Sequence, residues 1–377
     1  MVYLDNAATT KPTEKVMEAV QTSMAEAFFN PSALYRPAVD VSKSIESCRM
    51  LIKESLKADH VVFTSGGTEA NNLAISGFIA KQRQGGRVLF SKAEHASVSA
   101  VCQALPNGFL AEGIPLQSDG RIDLEAFDAM LKPDTLLVCL MQINNETGAI
   151  QPLEEAARLM KRKCPEAWLH VDGVQGFLRR PMNMKIMGVD SFSLSGHKIH
   201  APKGIGALAL SDSKRLAPCI LGGGQEAGLR SGTENTPGIA GLLAAVQDYP
   251  RDHHMRTLKV LLYEKLKAGV PELIVNGPAP GGADAADHIL NLSFPPVRAE
   301  TMLHALEARG VYVSQASACS AKKNKHSQTL SAMGVPVSAL ESALRFSLSP
   351  YTTRKEIDMA VNACLEAYQA LRPFTRR

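Results

Sequence analysis

Long apolar runs are missing from these 377 residues. No uninterrupted apolar stretch of about eighteen residues occurs, so no segment reads as a membrane-spanning helix. A basic segment followed by an apolar one is missing as well. The chain instead enters through the strand-like Val2-Tyr3-Leu4, and a cytoplasmic protein without membrane contact is the expectation. Charge of one sign is scarce: 41 Lys and Arg stand against 37 Asp and Glu, a formal net charge of +4 that gives no electrostatic footprint for direct nucleic-acid binding. The seven cysteines, at 48, 102, 139, 164, 219, 319 and 364, are an odd set without CxxC spacing. That argues against a disulfide framework and against a zinc site, and no metal is expected. Neither internal repeats nor low-complexity tracts occur, and 45% apolar with 21% charged residues is the balance of an ordinary soluble protein. The length exceeds one simple core and suits two domains.

What is present concentrates in three segments. Ser195-Gly196-His197-Lys198 follows the apolar run Ser191 to Leu194, and a strand ending there aims a hydroxyl, an imidazole and an amine into one pocket. Such a set holds a phosphate and condenses with an aldehyde, which points to pyridoxal phosphate. Lys198 would carry the aldehyde, with Ser195 and His197 facing the phosphate or orienting the lysine; a solvated lysine at a polar strand end is the plainer reading. Trp168 to Gln175 is a second apolar strand, and it delivers Asp172 at its carboxyl end, 26 residues before the lysine. A carboxylate there keeps a pyridine nitrogen protonated, although a helix cap or loop acid also fits. Third, the strand His60 to Thr64 runs through Ser65-Gly66-Gly67-Thr68 into a helical Glu69 to Arg83, so that backbone N–H groups at Gly67 and Thr68 can cradle the phosphate.

Strand and helix patterns alternate through the first two thirds of the chain. Helices at 16–27 and 39–56 are followed by strands at 60–64, 87–91, 135–143 and 168–172, with helices at 69–83, 95–105 and 153–164 between them. Alternation of this kind predicts an α/β fold with a mostly parallel sheet covered on both faces and ligand groups at strand carboxyl ends. Beyond Gly232 the pattern changes to helices at 238–248 and 254–268, strands at 289–294, 311–317 and 343–348, and a helix at 302–309 and another at the end of the chain. The expected division is a large cofactor-binding domain over 12–250 and a small α+β domain over 251–377, with residues 1–11 packing on the latter. Cys139 reads as core strand, and Cys364 lies on the stripe Ile357, Val361, Cys364, Tyr368, Leu371. Cys319 differs: it sits in Ser317-Ala318-Cys319-Ser320, followed by Lys322, Lys323, Lys325 and His326, cations that favour the nucleophilic thiolate.

The chain resembles the cysteine desulfurases of the NifS/IscS-like group, within the fold-type-I pyridoxal-phosphate enzymes of the class-V aminotransferase family. The resemblance rests on Tyr3 to Thr10, the Thr64 to Glu69 turn, Glu94-His95, Asn144-Asn145-Glu146, His170 to Gln175, Ser195 to Lys198, Arg230 to Thr233, Ser317-Ala318-Cys319 and Arg345-Phe346-Ser347. It covers essentially the whole chain. By that resemblance the large domain carries a mostly parallel seven-stranded sheet, and Lys198 holds the cofactor and removes the substrate Cα proton. His95 stacks on the ring and shuttles protons, and Cys319 forms the persulfide. Gln175 is placed to hydrogen-bond the cofactor phenolic oxygen. Asn145 resembles the asparagine that contacts cofactor or substrate, although ordinary loop polarity also explains it. Thr233 resembles the residue that reaches the phosphate of a neighbouring subunit, which implies a symmetric homodimer. Arg345, on a buried strand, offers a guanidinium fork to the substrate α-carboxylate, with a structural salt bridge as the competing reading.

The implied reaction removes sulfur from L-cysteine, leaves L-alanine, and passes the persulfide to an acceptor protein, either an iron–sulfur scaffold or a tRNA-thiolation enzyme. Tyr35 and Ala38 stand where many relatives show histidine and glycine, and Ala316 replaces the glycine before Ser317-Ala318-Cys319. The chain also ends soon after its last helix, where scaffold-docking relatives have a longer tail. Two other readings stay open: a selenocysteine lyase or other class-V aminotransferase-family enzyme that dispenses with Cys319, and a weakly catalytic sulfur-relay or docking protein.

Overall fold

The computed structural model describes residues 1–251, 254–315 and 326–374. Its centre is a seven-stranded sheet in the order His60–Thr64, Gly206–Leu210, Ser191–Ser195, Trp168–Asp172, Thr135–Met141, Arg87–Ser91, Leu110–Ile114. Gly206–Leu210 runs antiparallel to both of its neighbours, and every other pair is parallel. The fold is therefore α/β with a mostly parallel sheet, as the alternating pattern predicts. Strands buried on both faces read as continuous apolar runs, and Thr135–Met141 and Trp168–Asp172 do so because helices cover the sheet on each side.

Among the elements that escape the sequence pattern are two strands of the large sheet and a helix beside it. Leu110–Ile114 is an edge strand whose Glu112 and Gly113 break its alternation. Gly206–Leu210 is built of small residues, and a Cβ at Gly206 would stand 2.6 Å from the Gly66 Cα, so the close approach of two chains selects glycine there. Leu124–Met130 is only seven residues long and is held by its Asp123 cap, which accepts from the N–H groups of Glu125 and Ala126. The expected strand at 311–317 resolves into two short pieces, Val311–Tyr312 and Ser314–Gln315.

A separate apolar cluster joins Val2 and Leu4 to residues between Met255 and Tyr368. Its sheet is antiparallel, in the order Ser314–Gln315, Ala343–Ser347, Ile289–Ser293, Ile274–Val275, and Val2–Tyr3 pairs in parallel with Val311–Tyr312. The closing helix Arg354–Leu371 begins in a capping box in which Thr353 and Glu356 satisfy each other's backbone N–H groups. Residues 7–11 then cross to the large sheet: Lys198 donates to the carbonyls of Ala7 and Ala8, and Thr10 donates to that of His197. No helix among the described residues is long and apolar enough to cross a membrane.

Candidate active site

Neighbouring parallel strands carry their chemistry to the same edge of the sheet. Trp168–Asp172 ends at Asp172, which pairs with Ser193 of Ser191–Ser195, and that strand leads at once into a short turn over Gly196–Lys198. Lys198 Nζ lies 2.8 Å from the Ala7 carbonyl and 2.6 Å from that of Ala8. His197 places Nδ1 3.1 Å from Thr9 Oγ1, and burial together with the positive charges of Lys198, Lys203 and Arg179 depresses its pKa to about 4. A neutral imidazole beside an anion site still donates from one nitrogen.

The helix Gly67–Ile79 starts at Gly66 without a capping side chain, so its first N–H groups are aimed outward with no protein acceptor from that cap. A Cβ at Gly67 would meet Val174 Cγ2 at 2.5 Å, and one at Gly66 would stand 3.6 Å from Ser195 Oγ. Glycine is therefore what lets the helix start press against the Asp172 and Ser195 strand ends. Glu69 fixes this turn: it accepts from Ser65 N at 2.8 Å and from Arg230 Nε at 2.9 Å. Burial opposes its ionisation, yet those donors hold its pKa below the ordinary glutamate value. Thr64, Ser65, Arg230 and Thr233 line one groove, so Thr233 lies along this face of the turn. Glu226 and Ala227, with left-handed φ of 49° and 55°, begin the approach to that segment, and a two-point pair between Arg49 and Glu226 holds them.

Asp172 accepts from Asn71 Nδ2 at 2.8 Å and from Val174 N at 3.0 Å. His95 caps the helix Ala96–Gln103 by accepting from Ser97 N at 3.1 Å, so it stands before the helix and not in it, and Thr68, His95 and Ser97 share a groove. Beneath them Glu94 is buried, with Oε1 on Met141 N at 2.6 Å and Oε2 without a partner. Burial first, then the charge of Asp172, lifts its pKa well above the carboxylate range.

At the rim, Arg345 pairs with Asp5 at 2.8 Å and donates to the Asn145 carbonyl at 2.9 Å, while its Nε–H has no partner. The salt bridge that competed with substrate binding is thus present, and the buried Nε–H is left unpaired beside it. Asn145 is brought to this edge through its backbone. Gln175 gives Nε2 to the Ala7 carbonyl at 2.9 Å and takes Arg179 Nη1 on Oε1 at 3.1 Å. Arg179 also donates to the Lys198 carbonyl and so laces the two strand ends together. Cys319 lies outside the described residues. Of the six described cysteines all are free, five are buried, and Cys219 is exposed.

Sequence reasoning gave no role to Asn71, Ser97, Arg179 or Asp5. Asp5 stood inside a quoted motif; the partners of Asn71 lie far away in the chain, and Ser97 and Arg179 each join a near neighbour to a distant one, a link that no local pattern marks. The donor set fits pyridoxal phosphate: an uncapped helix start shaped by glycines for the phosphate, Asp172 for a pyridine nitrogen and the Lys198 amine for the aldehyde.

An α/β fold with this strand-end lysine and aspartate defines a class that the comparisons identify. The aminotransferase class-V family profile matches residues 2–359, and the chain belongs to that family. Within it the similar proteins are cysteine desulfurases. One from Nostoc is 36% identical over 99% of this chain and 95% of its own length. Among solved structures, a NifS-like protein superposes with a TM-score of 0.90 at 30% identity, covering 98% of this chain and 99% of that one. SspA in complex with cysteine gives 0.82 at 32% identity, over 94% and 100%.

Proposed function

We infer that this enzyme is a cysteine desulfurase that takes sulfur from L-cysteine, yields L-alanine and hands the sulfur to an acceptor protein. The observation that carries the reading is the delivery of Asp172 and Lys198 from the carboxyl ends of neighbouring strands, beside the uncapped start of Gly67–Ile79. Pyridoxal phosphate, when bound, supplies the electron sink for bond breaking at the substrate Cα and Cβ. Gly67, Thr68, Ser195 and His197 would hold its phosphate, Asp172 its ring nitrogen, and Gln175 its phenolic oxygen, and His95 would stack on the ring. Arg345 and Asn145 bind the substrate, with the α-carboxylate on the guanidinium fork. Lys198 takes the Cα proton and later returns a proton to carbon.

Cys319 thiolate attacks the substrate sulfur. The electron pair of the broken C–S bond stays with Cβ, which is then protonated, so the sulfur atom remains on Cys319 as a persulfide. Thr233 serves the phosphate of a second copy, which makes the active unit a homodimer. The acceptor is an iron–sulfur scaffold or a tRNA-thiolation enzyme in the cytoplasm; the general resemblance to cysteine desulfurases supports an acceptor of this kind. Borohydride treatment followed by digestion should leave a reduced pyridoxyl group on Lys198, and its absence sinks the reading. After mixing with L-cysteine, mass spectrometry should find one added sulfur on the Cys319 peptide and none in Cys319→Ser. Full activity in Cys319→Ala would move the enzyme to the selenocysteine-lyase type.

A further inference from the structure

A line of buried side chains runs beneath the site. Trp168 Nε1 lies 2.8 Å from Ser191 Oγ, Ser191 Oγ lies 2.9 Å from His170 Nδ1, and His170 Nε2 lies 3.0 Å from Asn71 Oδ1. The Asn71 amide nitrogen then branches, 2.8 Å to Asp172 Oδ2 and 2.8 Å to Ser97 Oγ, and Ser97 Oγ ends 2.8 Å from His95 Nδ1. Trp168, Ser191, His170, Asn71, Asp172 and Ser97 are all buried. Such a line has a direction only if an end forces one, and here the carboxylate end does.

An indole N–H donates and never accepts, and a carboxylate accepts and never donates. Starting from Asp172, the amide nitrogen of Asn71 must face the carboxylate, which turns Oδ1 toward His170 and requires a hydrogen on His170 Nε2. His170 is neutral, since burial depresses its pKa to about 4, so its Nδ1 carries no hydrogen and accepts. Ser191 therefore donates to His170 while it accepts from Trp168. The donor-only indole supplies that acceptance, which is compatible with this direction. On the branch, Ser97 accepts from Asn71 and is left with one hydrogen, which points to His95 Nδ1. That nitrogen already accepts the Ser97 backbone N–H at 3.1 Å. Two donors on one nitrogen leave His95 with its hydrogen on Nε2.

We propose that Asn71 is the junction of a hydrogen-bond line in which the Asp172 carboxylate fixes the orientation of its amide, His170, backed by Ser191 and Trp168, takes up the complementary tautomer, and the amide in turn, through Ser97, locks His95 as the neutral Nε2–H tautomer. Asn71, His170 and Ser97 are positioning residues for the desulfurase reaction. They make one frame serve both the carboxylate proposed for the ring nitrogen and the histidine proposed for the ring face. The consequence for the chemistry is definite: with Nδ1 occupied as an acceptor, His95 works as a donor from Nε2.

This inference rests on the desulfurase reading, and its test is separate because tautomers are read on the cofactor-free and the loaded protein alike. In full-length protein labelled with 15N-histidine, and with signals assigned through His95→Gln and His170→Gln, both His95 and His170 should show the Nε2–H pattern at neutral pH. Ser97→Ala should shift the His95 Nδ1 signal and leave His170 unmoved, whereas Ser97→Thr should restore the parent pattern. Asn71→Asp keeps the shape but removes both amide donors; it should move the His95 and His170 signals together and weaken pyridoxal phosphate retention by about ten- to a hundredfold, the usual range for groups that orient a ligand's direct partners. Should Asn71→Asp fail to fold, the Ser97 pair decides. A hydrogen on His95 Nδ1 in the parent protein, or a His95 signal indifferent to Ser97→Ala, overturns the proposal. Failure of the desulfurase reading looks different: no pyridoxyl group on Lys198, whatever the tautomers.

Discussion

At the floor of the cleft Asp172, Asn71, His170 and Ser191 are buried and each is hydrogen-bonded, whereas at its rim the equally buried Arg345 keeps an Nε–H without a partner. The same fold thus treats buried polarity in two ways. A group that stays put is best held by a satisfied frame, since in a low-dielectric interior each unpaired member is expensive and each paired one stiffens its neighbours. The carboxylate site proposed at Arg345 asks for the reverse, a donor whose pairing is completed only by the visitor. The rim also holds a carboxyl paired within the protein. Glu146 is partly buried, takes hydroxyls from Ser327 and Thr329, and has its pKa raised by burial. Its partners come from the segment just beyond residues 316–325, so the rim joins the two sheets where the floor belongs to one.

If the floor is a fixed frame, acid should dismantle it first, and this is the largest effect expected. His170 has a folded pKa of about 4 against an ordinary 6.5. A depressed histidine adds nothing to stability loss above its unfolded value. As pH falls through 6.5 toward 4 the unfolded chain binds the proton and the folded one does not, so stability is lost across that window. The single group accounts for about 3 kcal/mol by pH 4. His197, depressed to the same level, steepens the acid limb. In urea unfolding between pH 7 and pH 4, His170→Gln should flatten the slope while lowering stability at pH 7. An unchanged slope would mean that the buried imidazole is not what acid attacks.

Most of this floor was hidden in the sequence, and two adjacent residues show why. Asn71 and Asn72 are chemically identical neighbours on one helix. Asn71 is buried at the centre of the hydrogen-bonded line, while Asn72 merely bonds back to the Thr68 carbonyl. Only the phase of the helix against the sheet distinguishes them, and that phase is a tertiary fact. The strand Trp168–Asp172 was readable to the residue because an apolar run ended in a charge, as were His60–Thr64 and Arg87–Ser91. Lys198 and Asp172 were legible for the same reason: strand ends concentrate chemistry in α/β sheets. Leu110–Ile114 was not, since an edge strand with one face to solvent carries a weak pattern.

The rim yields a middle-sized prediction. Arg345→Lys keeps a cation for Asp5 but removes the fork, and a point charge does not replace two parallel donors. With L-cysteine as substrate, KM should rise and kcat/KM fall by about tenfold to a hundredfold, roughly 1.4 to 2.7 kcal/mol, while kcat changes little. Equal losses in kcat and kcat/KM would instead give Arg345 a structural role through Asp5 and Asn145, and the contrast with the floor would vanish.

One floor residue departs from its region and gives the smallest effect. Glu94 is buried with Oε2 unpaired, and its pKa is well above 4.5. The folded state therefore keeps a proton that the unfolded state gives up. For a raised carboxyl the stability is fully present below the unfolded pKa and is lost as pH rises from there through the folded pKa, so at neutral pH Glu94 is a cost. Glu94→Gln retains an oxygen for the Met141 N–H and has no proton to lose. It should stabilise by about 1 kcal/mol at pH 7.5, a rise of about 2 °C in Tm, with the gain shrinking toward pH 5. A loss of stability at pH 7.5 would show that the carboxyl is ionised beside Asp172, and that the frame beneath the site tolerates two negative charges where its geometry accommodates one.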